Sequence, residues 1–356
     1  MIRYVLHLLI QNYLMMNNNF FFLYQDCQIV KGSKNILLCD LHTKNVINAN
    51  NIFNYFSSDN SIPCKDENKE VIDYLVGEKF GYISNEKNGE KKELRWESSK
   101  IINEIIIEHS RIDGFSIENV YEKIETTGAE FIQIRFIDYS STKLRKVLSL
   151  LSTSSVRTIE ILVPYMDEDK NSQLIDFIEK NPRVQILYFY NSPFNKSINK
   201  PFYFNVVYYE KNLTDEKLCG IISTDYFLVD IKNFSKAKNV NSCLKDKLFI
   251  SSSGTIKNCP SLNKKIGHIN DVVFDDLYTV IEKDFVRNIT KDNIDVCKDC
   301  EYRYMCIDCR AYVEEPSNIL SKPLKCGYDP YEGIWSDWTK NPLKQIAIKY
   351  YEIEIN

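Results

Sequence analysis

Seven of the chain's 11 cysteines fall between residues 243 and 326, and no other feature restricts its folding as strongly. Cys243 is followed by ten residues, Gly254, four residues and Cys259; then come Cys297, Cys300, Cys306 and Cys309, and last Cys326. In shorthand this is C-x10-G-x4-C, then C-x2-C-x5-C-x2-C, then a single C. A chain of 356 residues can bury real cores without covalent staples, so these thiols need a reason other than stability. A four-iron four-sulfur cluster supplies one. It takes one thiolate per iron, and C-x2-C presents two sulfurs from one tight loop while distant cysteines complete the set. Gly254 then supplies the turn of a hairpin that runs into Cys259. Paired C-x2-C motifs suit tetrahedral zinc equally well, so both metals stay open on spacing alone. Cys27, Cys39 and Cys64 lack ligand spacing and read as buried or incidental thiols.

Redox compartment bears on this reading. Residues 2–14 are apolar, yet Arg3 is their only positive charge, His7 and Gln11 interrupt them, and no small-residue cleavage site follows. Residues 1–19 therefore read as a non-functional leader or a misassigned start, with Met15 or Met16 as alternative starts. No run of about 20 apolar residues occurs, so no membrane span is expected. The default compartment is the reducing cytoplasm, where clustered cysteines point to metal before disulfides. A hydrophobic fraction of 44%, a charged fraction of 26% and a net charge of -4 describe an ordinary soluble protein and give no sign of a nucleic-acid partner. No phosphate loop of the G-x-x-x-x-G-K-[ST] type is present, so ATP chemistry belongs to a partner.

Rhythm divides the remaining chain. Residues 20–95 open with apolar runs at Phe20–Val30 and Asn35–Leu41 joined by Lys31-Gly32-Ser33-Lys34, a hairpin signal. Helix-like stretches follow at Asn51–Ser57 and Lys69–Gly77, then a strand-like Gly81–Ser84. Residues 96–235 repeat: strand-like runs at Asn103–Ser110, Ala129–Ile137, Arg157–Tyr165 and Val184–Ser192 start 26, 28 and 27 residues apart, with amphipathic segments between. Helix faces are Phe115, Ile117, Val120 and Ile124 before Gly128; Leu144, Val147, Leu148 and Leu151 after Ser140 or Ser141; and Leu174, Ile175, Phe177 and Ile178 before Pro182. That spacing predicts α/β units with parallel strands. With further strands at Phe202–Glu210 and Tyr226–Lys232, it gives a partial (β/α) barrel of about six strands, or else an open three-layer sheet. Residues 236–335 hold the cysteines, and 336–356 form a C-terminal tail or helix.

The cysteine region resembles the SPASM domain, the auxiliary-cluster domain of many radical S-adenosylmethionine peptide-modifying enzymes. The likeness rests on the seven-cysteine order, Cys259-Pro260, Ile266-Gly267-His268-Ile269 and Cys309-Arg310-Ala311. It covers about 90 residues and departs in the quartet's last interval, two residues where three is commoner. The resemblance implies one cluster on Cys243, Cys259 and Cys309 and a second on Cys297, Cys300, Cys306 and Cys326. The first set is short of one ligand. The family places it upstream of Cys243, where Cys219 stands in Leu218-Cys219-Gly220.

Radical S-adenosylmethionine enzymes carry C-x3-C-x2-C just after the first barrel strand, but here His109-Ser110 leads through Arg111-Ile112-Asp113-Gly114 straight into a helix. No C-x3-C-x2-C occurs elsewhere, so S-adenosylmethionine is not expected and no catalytic residue is assigned. This combination resembles the SPASM-domain peptide maturases of grasp-with-spasm systems. The likeness is carried by Tyr24-Gln25-Asp26-Cys27, Ile29-Val30-Lys31-Gly32, Cys39-Asp40-Leu41, Cys219-Gly220-Ile221-Ile222 and Ile256-Lys257-Asn258-Cys259-Pro260. Its most distinctive stretches are Ser321-Lys322-Pro323-Leu324-Lys325-Cys326-Gly327-Tyr328 and Asn341-Pro342-Leu343-Lys344. The resemblance implies a radical-SAM-like core and a cytoplasmic role in maturing a ribosomally synthesised precursor peptide with an ATP-grasp ligase. It also implies a winged-helix-like peptide-recognition module at 20–95, set against a merely structural cap. Two alternatives stand beside it: a zinc-stabilised binding or assembly protein without redox behaviour, and a redox enzyme acting through its two clusters.

Other residues carry weaker signals. His268 reads as a turn residue rather than a donor to a cluster, and His109, at the end of the first strand where a barrel mouth would open, is not assigned a ligand role. Arg310 reads as paired with Glu314 or another surface carboxylate rather than as neutralising cluster charge, and Tyr302, Tyr304 and Tyr312 as core filling or as cover for a cluster.

Overall fold

In the computed structural model, residues 19–86, 93–95, 98, 100–201 and 204–354 are described, so the reading of residues 1–19 as a leader lies outside them except for Asn19. Among these residues no helix is long and apolar enough to cross a membrane. The first strands are β1 (Phe20–Leu23), β2 (Cys27–Lys31), β3 (Ile36–Asp40), β4 (Val46–Asn48), β5 (Ser61–Pro63) and β6 (Gly81–Ser84), with helix α1 at Lys69–Gly77. They form two antiparallel sheets, ordered β5-β1-β6 and β2-β3-β4. The hairpin expected around Lys31–Lys34 is present, with Gly32 N–H donating to Asn35 O at 2.8 Å. Phe20–Val30 is not one strand, because a turn at Tyr24–Cys27 sends β1 into the other sheet. Asn51–Ser57 keeps only a single 3-10 turn at Phe53–Tyr55, since Phe56 is already extended.

The larger sheet has nine strands. After β7 (Glu104–His109) come β8 (Phe131–Phe136), β9 (Thr158–Pro164), β10 (Val184–Tyr190), β11 (Lys196–Asn199), β12 (Asn205–Tyr209), β13 (Lys247–Ile250), β14 (Thr255–Lys257) and β15 (Gly267–His268). Their order is β11-β12-β10-β9-β8-β7-β13-β14-β15, with the six from β12 to β13 parallel. Helices α2 (Ile117–Thr126), α3 (Ser141–Leu151) and α4 (Glu168–Ile178) begin where Ser116, Ser140 and Asp167 side chains accept backbone N–H groups of the first turn. Gly128, at φ +63, ends the first of them.

These helices, with α6 (Phe274–Glu282), bury their apolar stripes in one core against Ile105, Ile107, Ile132, Ile134, Ile159, Ile161, Leu187 and Val206. All four share this one core on one face of the sheet. Strands β7, β8, β9, β10 and β12 follow in chain order, and the sixth parallel strand returns beside the first. That is the order of a cylinder cut between its fifth and sixth strands. Among the described residues the edges β11 and β15 do not pair, so no barrel closes.

The sixth strand is not Tyr226–Lys232. Ser223 caps a 3-10 turn at Thr224–Tyr226, and Asp230 caps helix α5 (Ile231–Asn239) by accepting from Asn233 N, so helix begins inside that stretch. The strand is instead β13, between Cys243 and Gly254. Gly254, at φ +88, makes the expected hairpin turn into β14 and Cys259. A two-stranded ribbon, β16 (Tyr328–Asp329) with β17 (Ile334–Trp335), and helix α7 (Gln345–Tyr350) complete the chain.

Candidate metal centres

No described cysteine is in a disulfide, and the eight cysteines singled out by spacing separate into two groups. Cys219, Cys243, Cys259 and Cys309 line one cavity of about 270 Å³, with the Cys306–Ala311 segment as one wall. Burial pushes the Cys259 thiol up to about 11 and the Cys309 thiol up to about 12, and charge on Cys243 and Cys219 adds to both. Cys243 is raised by burial too, partly offset by the Lys247 ammonium. In the second group, burial pushes Cys297 up to about 12, with Cys326 and Cys306 adding to it. Cys300 is raised by burial and by Cys297 and Cys306, and Cys306 by burial and by Cys326. The thiols that act most strongly on each of these six belong to its own group of four.

Local structure explains the sorting. Cys297 opens a 3-10 turn, Cys297–Asp299, whose carbonyl accepts Cys300 N at 3.0 Å, so the two thiols leave one turn together. Only two residues separate Cys306 from Cys309, yet their main thiol neighbours belong to different groups, so this link is the partition between the two groups. Cys219 reaches the first group because Ile222 forms a parallel bridge with Cys326, which lays residues 219–222 alongside 324–326. Gly220, at φ +83, completes that turn against the Cys309 sulfur.

Lysine ammonium groups flank both groups, and none was legible as a functional residue in the sequence. Lys247 Nζ lies 3.7 Å from Cys243 Sγ and 3.9 Å from Glu104 Oε2. Lys291 Nζ lies 3.4 Å from Cys306 Sγ and 3.5 Å from Asp308 Oδ1. Lys325 donates to Cys219 O at 2.7 Å, and Lys344 donates to Leu324 O at 2.8 Å and to the carbonyl of Cys326. Each of these last two lysines fixes the backbone of one cysteine. Their signal was indirect, for both sit in the stretches that carried the family resemblance.

Arg310 is buried, not paired at the surface. Its Nη2 donates to Asp308 Oδ1 at 2.9 Å and its Nη1 to Ile319 O and Ser321 O. Asp308 also accepts from Asn241 Nδ2 at 2.6 Å, which ties the partition to the start of the Cys243 segment. Tyr312 packs beside Gly220 and Cys309, whereas Tyr302 packs tilted against Phe227 and edge-on against Tyr328 as core filling. Tyr304 contacts Phe234 and bonds Asp292. His268 faces the Gly254 turn, its Nε2 2.9 Å from Ser253 O, and is a turn residue.

His109 does not face an open mouth. It is fully buried on the helix side of the sheet, with Nδ1 2.8 Å from Asp113 Oδ2 and Nε2 3.0 Å from Tyr121 OH. Asp113 also accepts from Ser110 N and Lys143 Nζ, each at 2.8 Å. These bonds hold its carboxyl below the ordinary range despite burial. The loop after β7 is therefore built around one saturated carboxylate.

The opposite face of the sheet carries a polar row among buried apolar residues such as Ile106, Leu162 and Phe249. Glu108 pairs with Arg135 across β7 and β8, and Gln133 Nε2 donates to Glu160 Oε2 at 2.8 Å. Burial raises both glutamates, and Arg135 lies within electrostatic reach of Cys219 and Cys259. This row runs from the sheet toward the first cysteine group.

The N-terminal hairpin is docked on the second group. Ser33 N donates to Asp299 O at 2.7 Å, Arg303 Nη1 to Lys31 O at 2.7 Å, and Asn35 Nδ2 to Glu301 Oε1 at 2.9 Å. Cys27 and Cys39 are buried, and neither joins the eight. Cys27 lies with Asp26 and Asp40 in a cluster whose ligand atoms are within 4.8 Å of one another, but Asp40 is taken up by a turn to His42 N, Thr43 N and Thr43 Oγ1.

No family model matches the chain, and no curated protein matches it. Among solved structures it is similar to Streptococcus suis SuiB bound to precursor peptide SuiA, at 11% identity and a TM-score of 0.31. That likeness covers 91% of this chain and 100% of that one, and at this TM-score it carries no argument.

Proposed function

We propose that the chain is an iron-sulfur peptide-maturation factor of the SPASM type with two four-iron four-sulfur clusters. One is held by Cys219, Cys243, Cys259 and Cys309, the other by Cys297, Cys300, Cys306 and Cys326. The observation that carries this reading is the cavity that Cys219, Cys243, Cys259 and Cys309 line together, with Cys297, Cys300, Cys306 and Cys326 gathered as a second set of mutually interacting thiols. Bound clusters of this kind exchange single electrons. The donor sets fit them: each supplies four sulfurs and a lysine ammonium within 3.7 Å of one of them.

Spacing favours iron over zinc. A zinc ion with Zn–S bonds of about 2.3 Å needs its sulfurs about 3.8 Å apart. Among the described residues no three of the eight sulfurs lie within 4.8 Å of one another, which suits a wider inorganic core.

In this proposal the six parallel strands are a partial barrel related to a radical S-adenosylmethionine core. Its cofactor loop is replaced by the Asp113 network, so S-adenosylmethionine is not used. A ribosomally synthesised precursor peptide lies on the sheet face bearing Glu108, Arg135 and Glu160, beside the first cluster. An ATP-grasp ligase supplies the ATP chemistry in the cytoplasm. Residues 20–95 act as a recognition module held to the cluster domain by the docked hairpin.

Anaerobic purification followed by iron, sulfide and zinc analysis tests the cluster reading, with about eight irons and no zinc expected for two four-iron clusters. Zinc in place of iron overturns it. Titration with the small peptide encoded beside the gene, with and without its ligase, tests the maturation role; no binding in either case ends it.

A further inference from the structure

The second group of cysteines contains an imbalance of charge that the fold itself creates. Lys291 and Arg310 are both buried, with 4% and 0% of their side chains exposed, and Asp308, at 2%, is the carboxylate that faces both. Asp308 is already engaged by Arg310 Nη2 at 2.9 Å and by Asn241 Nδ2 at 2.6 Å. Its approach to Lys291 is the longer one, 3.5 Å. Two buried cations therefore share one anion, and the remaining positive charge faces Cys306 Sγ at 3.4 Å. A buried ammonium is costly unless an anion answers it, so this arrangement is stable only with negative charge on the sulfur side. The first group differs: Lys247 is 21% exposed and its partner Glu104 37%, so solvent screens that pair.

We propose that Lys291 is a fixed ammonium donor to the centre on Cys297, Cys300, Cys306 and Cys326, held in place by Asp308, and that it raises the reduction potential of that centre alone. The inference rests on the cluster reading above. A thiolate-ligated cluster is a net anion that gains one further negative charge on reduction, so a nearby fixed cation favours the reduced state. Lys291 touches a ligand sulfur, and Asp308 acts through Lys291 as its positioning residue.

The test compares anaerobically purified wild type, Lys291→Met, Lys291→Arg and Lys247→Met by dithionite titration followed by electron paramagnetic resonance. Wild type should show two reductive waves. Lys291→Met should move one wave to lower potential and alter that centre's signal, leaving the other unmoved, and Lys291→Arg should restore most of the shift. Lys247→Met should leave the Lys291-sensitive wave in place. If Lys291→Met sheds one cluster, Lys291→Gln, which keeps an N–H donor without the charge, should show the same downward shift. Full iron with both waves unmoved, or both moved equally, overturns the inference while the cluster reading survives. An iron-free wild type overturns both.

Discussion

A methyl group added at Gly220 would stand 2.8 Å from the Cys309 sulfur, closer than real carbon contacts come. Gly220 also holds φ at +83, a conformation that costs an L-residue about 1–2 kcal/mol. Gly220→Ala should therefore displace Cys309 and remove the first centre's metal. Metal content should fall by about half, to one four-iron cluster, while the signal of the other centre is retained.

The grouping of thiols predicts which losses add. Cys219→Ala and Cys309→Ala should each remove one centre, and combining them should remove no more. Cys219→Ala with Cys326→Ala should remove both. Cys39→Ala and Cys64→Ala should leave metal content unchanged, since neither belongs to either group. Iron and sulfide assays on the purified variants check every case.

Asp308→Asn should be strongly destabilising. It leaves the Arg310 and Lys291 charges buried without their shared carboxylate, a change that costs about 3–5 kcal/mol in comparable buried pairs. Denaturant unfolding of the metal-free variant against the metal-free parent measures it. Arg310→Met with Asp308→Asn should recover part of the loss.

Stability of the metal-free form should fall in alkali. Burial lifts Cys259 to about 11 and Cys297 and Cys309 to about 12, from an ordinary value of 9.0. Their contribution is whole below pH 9 and is lost as pH rises through the folded values, because the unfolded chain releases those protons first. The loaded protein should lack this slope, since metal binding has already removed the protons. Unfolding midpoints of both forms across that range decide the matter.

Much of the architecture was legible because it is local. Strands β7 to β10 announce themselves by runs of Ile and Val at regular intervals, and the apolar stripes fall on the buried faces of α2 to α4, where Tyr121 and Asn171 are also buried and Ile117 and Phe177 are only partly so. The hairpin turns at Gly32 and Gly254 were legible for the same reason, since turn chemistry is read over a few residues. Tyr226–Lys232 misled because its apolar residues suggest a strand while the side chains of Ser223 and Asp230 cap helical turns at either end.

The sequence by itself determined which thiols are available and the spacing at which they recur, since coordination motifs are written in a few consecutive residues. It could not show that Lys291, Lys325 and Lys344 are buried against cysteine sulfurs and carbonyls, because isolated lysines look like solvated surface. Nor could it show that Cys306 and Cys309 fall in different thiol groups, or that β13 returns beside β7. Those outcomes depend on contacts between residues far apart in the chain, which side-chain pattern does not encode and only the packed sheet brings together.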